Sequence, residues 1–461
     1  MNFARILTIL FLLILSGVST KMFRSYANPT LILTLPWIFI LITQQLIAPD
    51  FPFGFNAALV LTASCGCFTI GSLTLLQRRM SVQSTRAMES LAIERAPVAP
   101  ALWRAFVALL AVIVIVQLAL TYYYLNVAGV GQYTDGAVNP YAIYGAAGVA
   151  YGDRSLVGLA FRASVAVTYV CAGIFALDAI RRRKVNFGVF AFLAPVAGQS
   201  FLSSTKTTFL LTVSIMVVTV TAAHAHRLHR LPKKALRAIV ALILLITAST
   251  GFAAMRRYGL SAEAITSTDF LDNQKVTLLG AVSNWSLFLD RTGITPDSEW
   301  TGITLAGVLG PLGFYERVSG VYVGGDAEQR LIPDSRQTTN QYTGFRLLLE
   351  DFGFGGTLVV MTALGMLVTY VFVLNTRRPS VTLVIILGNL YLLLLWLPIT
   401  LLTYYAFWTI QFLVLLPIAR VFFRIPTRTA PANRAGYMAT GPSNGGRSVI
   451  LPVIRGARSR A

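Results

Sequence analysis

The stretch Asn340-Gln341-Tyr342-Thr343-Gly344-Phe345-Arg346-Leu347-Leu348-Leu349-Glu350-Asp351-Phe352-Gly353-Phe354-Gly355-Gly356 sets one cation and two carboxylates at the start of a long apolar run. If the stretch is helical, Arg346 and Glu350 stand four residues apart and share a face. Glu350 and Asp351 then sit where water meets lipid, and partial desolvation there suits a carboxylate to general-base work. The competing reading is structural. In it an Arg346–Glu350 pair caps the start of the helix, and the glycines serve close helix packing.

A second set of groups suits an anion. Arg154, Arg162, Lys206, Arg256 and Arg257, together with Arg346, lie at one edge of the apolar runs. Arg162 stands about two turns inside its run, and a cation at the bilayer centre costs about 2.5–3.5 kcal/mol on insertion scales, less near the edge. Lys206 occupies the tip of a hairpin, in the polar run Ser203-Ser204-Thr205-Lys206-Thr207-Thr208. Brought together by a helix bundle, these side chains would hold one multiply charged group at membrane-surface depth. A lipid pyrophosphate offers several oxygens to Arg forks and to an ammonium. Taken singly, each cation is also explained by snorkelling or by pairing with Asp153, Glu350 or Asp351.

A third constellation is Leu312-Gly313-Phe314-Tyr315-Glu316-Arg317-Val318-Ser319-Gly320-Val321-Tyr322. Aromatic rings alternating with a charge pair suit a sugar-contacting surface, because rings stack on the apolar faces of pyranoses. An interfacial aromatic belt has the same residue types. The histidines, His224, His226 and His229, stand beside Arg227 and Arg230 in a basic stretch, which leaves none for the acidic side of the chain. P-loop, dinucleotide and serine-nucleophile signatures are missing from any credible context. Carboxylates, tyrosines, Arg and Lys are therefore the groups left for chemistry, with no metal site implied.

The elements that must position these groups are membrane spans. Of 461 residues, 55% are hydrophobic and 12% charged, more apolar side chain than a soluble domain of this size can bury. Apolar runs of spanning length cover 6–19, 31–48, 55–76, 102–125, 155–180, 188–203, 207–225, 238–255, 352–374, 380–397 and 401–419. The fold class expected is an all-α polytopic membrane protein of about eleven transmembrane helices, with a range of about 10–12. The first run is short and resembles an uncleaved signal-like segment. The net charge of +20 follows the positive-inside rule rather than a nucleic-acid surface. Arg78, Arg79, Arg86, Arg95 and Arg104 mark one side, as do Arg181 to Lys184, Arg227 to Arg237, Arg377, Arg378 and the tail after Arg420. All of these alternate correctly along the eleven runs.

The opposite side carries the 126–154 segment and the 256–350 segment, and twelve of the eighteen acidic residues fall between Arg256 and Asp351. The 256–350 loop, between the eighth and ninth runs, is too long to be structureless and is expected to fold over the membrane face. Within it, 303–315 is too broken by Gly and Pro to span and reads as a re-entrant or interfacial element. Residues 1–421 are thus expected to form the transmembrane domain with its outer-face loop 256–350, and 422–461 a basic, disordered cytoplasmic tail. Cys65, Cys67 and Cys171 lie in apolar runs and read as buried thiols rather than metal ligands.

This pattern resembles the Wzy-type oligosaccharide repeat-unit polymerases of O-antigen, capsule and exopolysaccharide synthesis. The features that carry the resemblance are about eleven helices with a large late outer loop, the cation-bearing Ser203–Thr208 hairpin, and Arg346…Asp351-Phe352-Gly353…Gly356. Phe314-Tyr315-Glu316-Arg317-Val318-Ser319-Gly320 and the Asn28-Pro29 before the second run are similar as well. Arg291…Gly302 and Arg162…Gly173 match the family's Arg-x10-Gly pattern, but with glycine at 36 of 461 residues such matches arise about one time in thirteen by chance. The family's architecture is related to the glycosyltransferase C and O-antigen ligase-like folds.

The resemblance implies the inner membrane as location and a reaction at its periplasmic face. A glycan leaves undecaprenyl pyrophosphate for the non-reducing end of another undecaprenyl-pyrophosphate-linked repeat unit. It implies Arg162, Lys206, Arg256, Arg257, Arg154 and Arg346 at the pyrophosphate, Asp351 or Glu350 as base, and Tyr315 and Arg317 at sugar or acceptor. It calls for no cofactor or nucleotide, and for lipid-linked oligosaccharides, membrane lipids and a chain-length regulator as partners. An O-antigen ligase would rely on an outer-loop histidine that this chain lacks. A lipid-linked oligosaccharide flippase is the main rival and would show repeat symmetry and charges along a path through both leaflets. A membrane acyl- or phosphotransferase and a structural subunit are further alternatives.

Overall fold

The computed structural model describes residues 2–80, 100–127, 156–182, 192–193, 196–197, 207–225, 268–294, 303–305, 329–330, 338–339, 343–377, 380–404 and 406–423. The chain divides into a helical unit, Met1–Ile425, and a C-terminal segment, Pro426–Ala461, that lies outside the described residues. Ten helices stand among the described residues: α1 (Phe3–Phe23), α2 (Pro29–Ile47), α3 (Phe55–Met80), α4 (Pro100–Val127), α5 (Leu156–Arg182), α6 (Thr207–Ala223), α7 (Thr268–Thr292), α8 (Gly344–Arg377), α9 (Val381–Trp396) and α10 (Ala406–Phe422). Strand structure among these residues is a single antiparallel pair, Gln329 opposite Thr339 and Arg330 opposite Thr338.

Nine of the apolar runs fall on these helices. The run 238–255 lies outside the described residues, as does 188–203 apart from 192–193 and 196–197. Five helical segments are long and apolar enough to cross a membrane: Phe3–Phe23, Pro29–Ile47, Phe55–Gln77, Ala163–Ile180 and Gly344–Arg377. Shorter apolar helical stretches cover Phe106–Leu120, Phe209–Ala223, Val381–Trp396 and Gln411–Val421. The chain is a multi-pass helical membrane protein.

Several hydroxyls inside these helices are satisfied locally, as an apolar surrounding favours. The hydroxyls of Thr8, Ser16, Thr69, Thr219 and Thr357 each donate to the carbonyl four residues earlier. A few bonds also join neighbouring helices. Ser16 and Thr34 hydroxyls meet at 2.7 Å between α1 and α2, and Thr168 donates to Gln117 at 2.8 Å between α5 and α4. Helices α3 and α8 approach each other closely. A Cβ added at Gly365 would lie 2.1 Å from the Phe68 carbonyl oxygen, and one at Gly71 would lie 2.2 Å from that of Thr362. Only hydrogen at both positions lets the two backbones approach this closely.

The first helix is longer than the 6–19 run and is built into the bundle. Asn2 caps it, its side chain accepting from the Arg5 amide and donating to the Phe53 carbonyl at 2.7 Å. Arg5 is fully enclosed, at 0% exposure. Its guanidinium donates to the Gln45 side-chain oxygen at 3.1 Å and to the Phe51 carbonyl at 2.5 Å. Both acceptors are neutral, but Gln45 belongs to the last turn of α2, where the partial negative charge of the helix favours a cation. At the other end of α2, Asn28 accepts from the Leu31 amide at 2.8 Å and Pro29 takes the first helical position, which fixes that start.

Long-range bonds sort the helix ends into two groups. Ser25 donates to the Ala225 carbonyl and Asn375 to that of Ala222, which gathers the α1–α2 turn with the C-terminal ends of α6 and α8. The α2–α3 turn, α7 and the start of α8 gather at the opposite ends of these helices, where the candidate site lies.

Candidate functional site

α7 was not anticipated in the sequence as an element of its own. Its mixed composition hides a helical stripe, Leu279, Val282, Ser286 and Leu289, that is buried against protein. Three bonds dock it on the α2–α3 region. Gln44 donates to the Ser283 hydroxyl at 2.5 Å, the Gly54 amide to Ser286 at 2.7 Å, and Asn56 to the Leu289 carbonyl at 3.1 Å. Rings complete the joint: Trp37, Trp285 and Phe345 form a triangle with centroids 5.4, 5.8 and 6.0 Å apart. Each ring comes from a different helix, so α7 is pinned between α2 and the first turn of α8.

That turn carries the charges. Gly344 donates its amide to the Leu397 carbonyl at 2.8 Å, and an added Cβ there would lie 2.7 Å from the Leu397 side chain, so α8 begins hard against the end of α9. Arg346 is 2% exposed, its Nε 2.6 Å from Oε1 of Glu350, which is 22% exposed. The guanidinium carbon lies 4.6 Å from the ring centre of Phe288, so α7 roofs the cation with an aromatic face. The i,i+4 pair expected from the sequence is thus formed. The bond is charge-assisted and lies in a mostly desolvated place, an arrangement common to the structural and the general-base readings.

Asp351 points elsewhere. It is 4% exposed, and its Oδ2 accepts the Thr304 backbone amide at 2.7 Å. Thr304 belongs to a 3-10 turn, Ile303–Leu305. Its hydroxyl donates to the Leu347 carbonyl at 3.2 Å, and its own carbonyl accepts from Thr403 at 2.6 Å. The start of the 303–315 segment is therefore bonded to the start of α8, while 306–315 lies outside the described residues.

Two residues on, the helix breaks. Gly353 has φ 63° and ψ −177°, non-helical values inside α8 that an L side chain adopts only at a cost. The segment bearing Arg346, Glu350 and Asp351 is aimed independently of the long apolar part of α8. The glycines of this run divide the work: Gly344 allows the close approach to the end of α9 that the structural reading expects, and Gly355 and Gly356 do not pack against another helix. Gly353 makes the break, Gly355 has nothing within 4 Å, and close approach to α3 falls instead to Gly365.

Of the other sequence-derived candidates, Arg162 lies in the second turn of α5. Arg154, Lys206, Arg256, Arg257, Tyr315 and Arg317 lie outside the described residues. Among the described residues no group of three or more His, Cys, Asp or Glu is placed to hold a metal ion. The three cysteines are free, with Cys65 and Cys171 buried in the helix packing. The residues that sequence reasoning missed are Phe288, which roofs Arg346, and Thr304, which binds Asp351. Phe288 lies off the buried stripe of α7, and nothing local pointed to it or to Thr304.

Comparison with known proteins gives no match: no family model, curated protein or solved structure is similar to this chain. The fold and the site therefore define a class, multi-pass helical membrane proteins with a buried Arg–carboxylate group at one end of the bundle.

Proposed function

We propose that this protein is a glycosyltransferase of the Wzy type. It would polymerise lipid-linked oligosaccharide repeat units at the periplasmic face of the bacterial inner membrane, across about eleven spans. The observation that carries the reading is the Arg346–Glu350–Asp351 group, held at the end of the bundle where the acid-rich 256–350 segment supplies α7. Support also comes from the resemblance of the hairpin and of the α8 start to that family, and from the distribution of basic segments. By the positive-inside rule that distribution sets the site on the non-cytoplasmic face and the tail in the cytoplasm.

The chemistry follows from the substrate. The anomeric carbon bonded to pyrophosphate already has a good leaving group. The enzyme must neutralise the departing undecaprenyl pyrophosphate and take a proton from the acceptor hydroxyl. The C–O bond to pyrophosphate breaks as the acceptor oxygen bonds to the same carbon. In this proposal Arg162, Lys206, Arg256, Arg257 and Arg154 meet the pyrophosphate. Glu350, the more open carboxylate, accepts the proton, and Arg346 holds its carboxylate in place from beneath Phe288. Tyr315 and Arg317 contact sugar or acceptor. A flippase remains the second reading on residue types. The grouping of charge at one end of the bundle favours a one-sided enzyme.

The test uses the full-length protein in nanodiscs with an undecaprenyl-pyrophosphate-linked oligosaccharide of one repeat. Longer lipid-linked glycan and released undecaprenyl pyrophosphate in equal amounts are expected, with both lost in Glu350→Gln. Lipid-linked substrate that crosses the bilayer of proteoliposomes without growing in length would overturn the proposal in favour of a flippase.

A further inference from the structure

We infer that Asp351 is a positioning residue, one that latches the 303–305 turn onto the start of α8 and leaves Glu350 as the carboxylate open to substrate. The inference rests on the proposed function for its activity arm, but the latch is defined by geometry alone. Sequence chemistry treats Glu350 and Asp351 as interchangeable candidates for one base. Their surroundings separate them.

The two carboxylates are adjacent in sequence and therefore stand about 100° apart around the helix. Glu350 turns toward Arg346 and is 22% exposed. Asp351 turns toward the 303–305 turn and is 4% exposed, with Oδ2 on the Thr304 amide at 2.7 Å. A carboxylate that accepts a backbone N–H in an enclosed place gives that amide a strong, charge-assisted bond. A base must instead reach the proton it removes, within hydrogen-bond distance of the acceptor hydroxyl.

Thr304 is the hub of the latch, because all three of its polar groups are used. The amide goes to Asp351, the hydroxyl to the Leu347 carbonyl at 3.2 Å, and the carbonyl takes the Thr403 hydroxyl at 2.6 Å. One residue of the 256–350 segment thereby ties the α8 start to the 3-10 turn Leu402–Tyr404 that leads into α10. Leu347 and Asp351 stand four apart, so the hydroxyl and amide of Thr304 meet consecutive turns of the same helix face. Gly353 then breaks the helix two residues beyond Asp351, so this face is oriented by the latch and not by the long apolar part of α8.

The geometry predicts a difference between two substitutions. Asparagine keeps a side-chain oxygen that accepts the Thr304 amide but cannot act as a base. Alanine loses both. Full-length Asp351→Asn, Asp351→Ala and Thr403→Val proteins in nanodiscs would be compared by hydrogen exchange of the peptide containing Thr304 and by polymerisation of the one-repeat lipid-linked oligosaccharide.

The Asp351→Asn protein is expected to keep protection of that peptide and to polymerise within about threefold of the parent. Asp351→Ala is expected to speed exchange about ten- to hundredfold and to lose most activity. Thr403→Val should speed exchange in the same peptide, which keeps the latch testable if the alanine protein fails to fold. Asparagine abolishing turnover while leaving exchange unchanged would overturn the inference and make Asp351 a base. Unchanged exchange in both the alanine and Thr403→Val proteins would overturn the latch itself. Should the parent protein polymerise nothing, the proposed function fails, and the exchange measurements still decide the latch.

Discussion

Replacing Gly353 with alanine tests the break in α8, on which the placement of all three charged residues depends. The residue has φ 63° and ψ −177°, a region essentially reserved for glycine. An alanine held there costs about 1–3 kcal/mol. The relevant comparison is Gly355→Ala, two residues further on, where the backbone is helical and nothing lies within 4 Å of an added Cβ. There alanine should stabilise by about 0.5–1 kcal/mol, because it loses less backbone entropy than glycine in a helix. The two proteins should therefore differ by about 1.5–4 kcal/mol, with opposite signs relative to the parent. Equilibrium unfolding in mixed micelles with increasing SDS, followed by tryptophan fluorescence, reads this difference. Equal stability of the two variants would mean that α8 runs on as an unbroken helix, and the argument for an independently aimed charged segment would fall.

Other substitutions probe the packing that supports the site. Gly365→Ala and Gly71→Ala each drive a Cβ into a carbonyl of the facing helix, at 2.1 and 2.2 Å, and should each cost about 1–3 kcal/mol or more. Gly17→Ala, with nothing within 4 Å, should be neutral or stabilising in the same unfolding assay. Arg5→Met leaves the Phe51 carbonyl and Gln45 without their charged donor and should destabilise by about 2–4 kcal/mol, read by the same titration. Partial burial raises the pKa of Asp290 above its ordinary value of 3.8. The folded protein then holds that proton more tightly than the unfolded chain, so stability declines as pH rises from the ordinary aspartate range through the raised value. Asp290→Asn should remove this decline, and identical pH–stability curves for the two proteins would refute the assignment.

The sequence made the apolar helices legible because a bilayer demands long runs of apolar residues, and composition alone reveals them. Arg346 and Glu350 declared their pairing through i,i+4 spacing. What escaped detection depends on contacts between distant residues. α7 carries Asp269, Asp272, Lys275, Asp290 and Arg291, so hydropathy passes over it, although its stripe faces protein rather than lipid. The Asp351–Thr304 bond spans 47 residues with no local signature. Gly353, Gly355 and Gly356 stand close together, and nothing in the sequence says which of them takes a positive φ. Arg5 flanks an apolar run with no local sign of burial, while the fold encloses it completely.

The central claim is polymerisation at the outer face, and the most direct measurement is the surface glycan of a strain lacking this protein, separated on a gel and blotted. The account predicts that the ladder of lengths disappears while single repeat units still reach the surface. Restoration by the parent protein and not by Glu350→Gln, at equal expression, would complete the agreement. An intact ladder would contradict the account, and so would the loss of every repeat unit with lipid-linked units accumulating inside the cell.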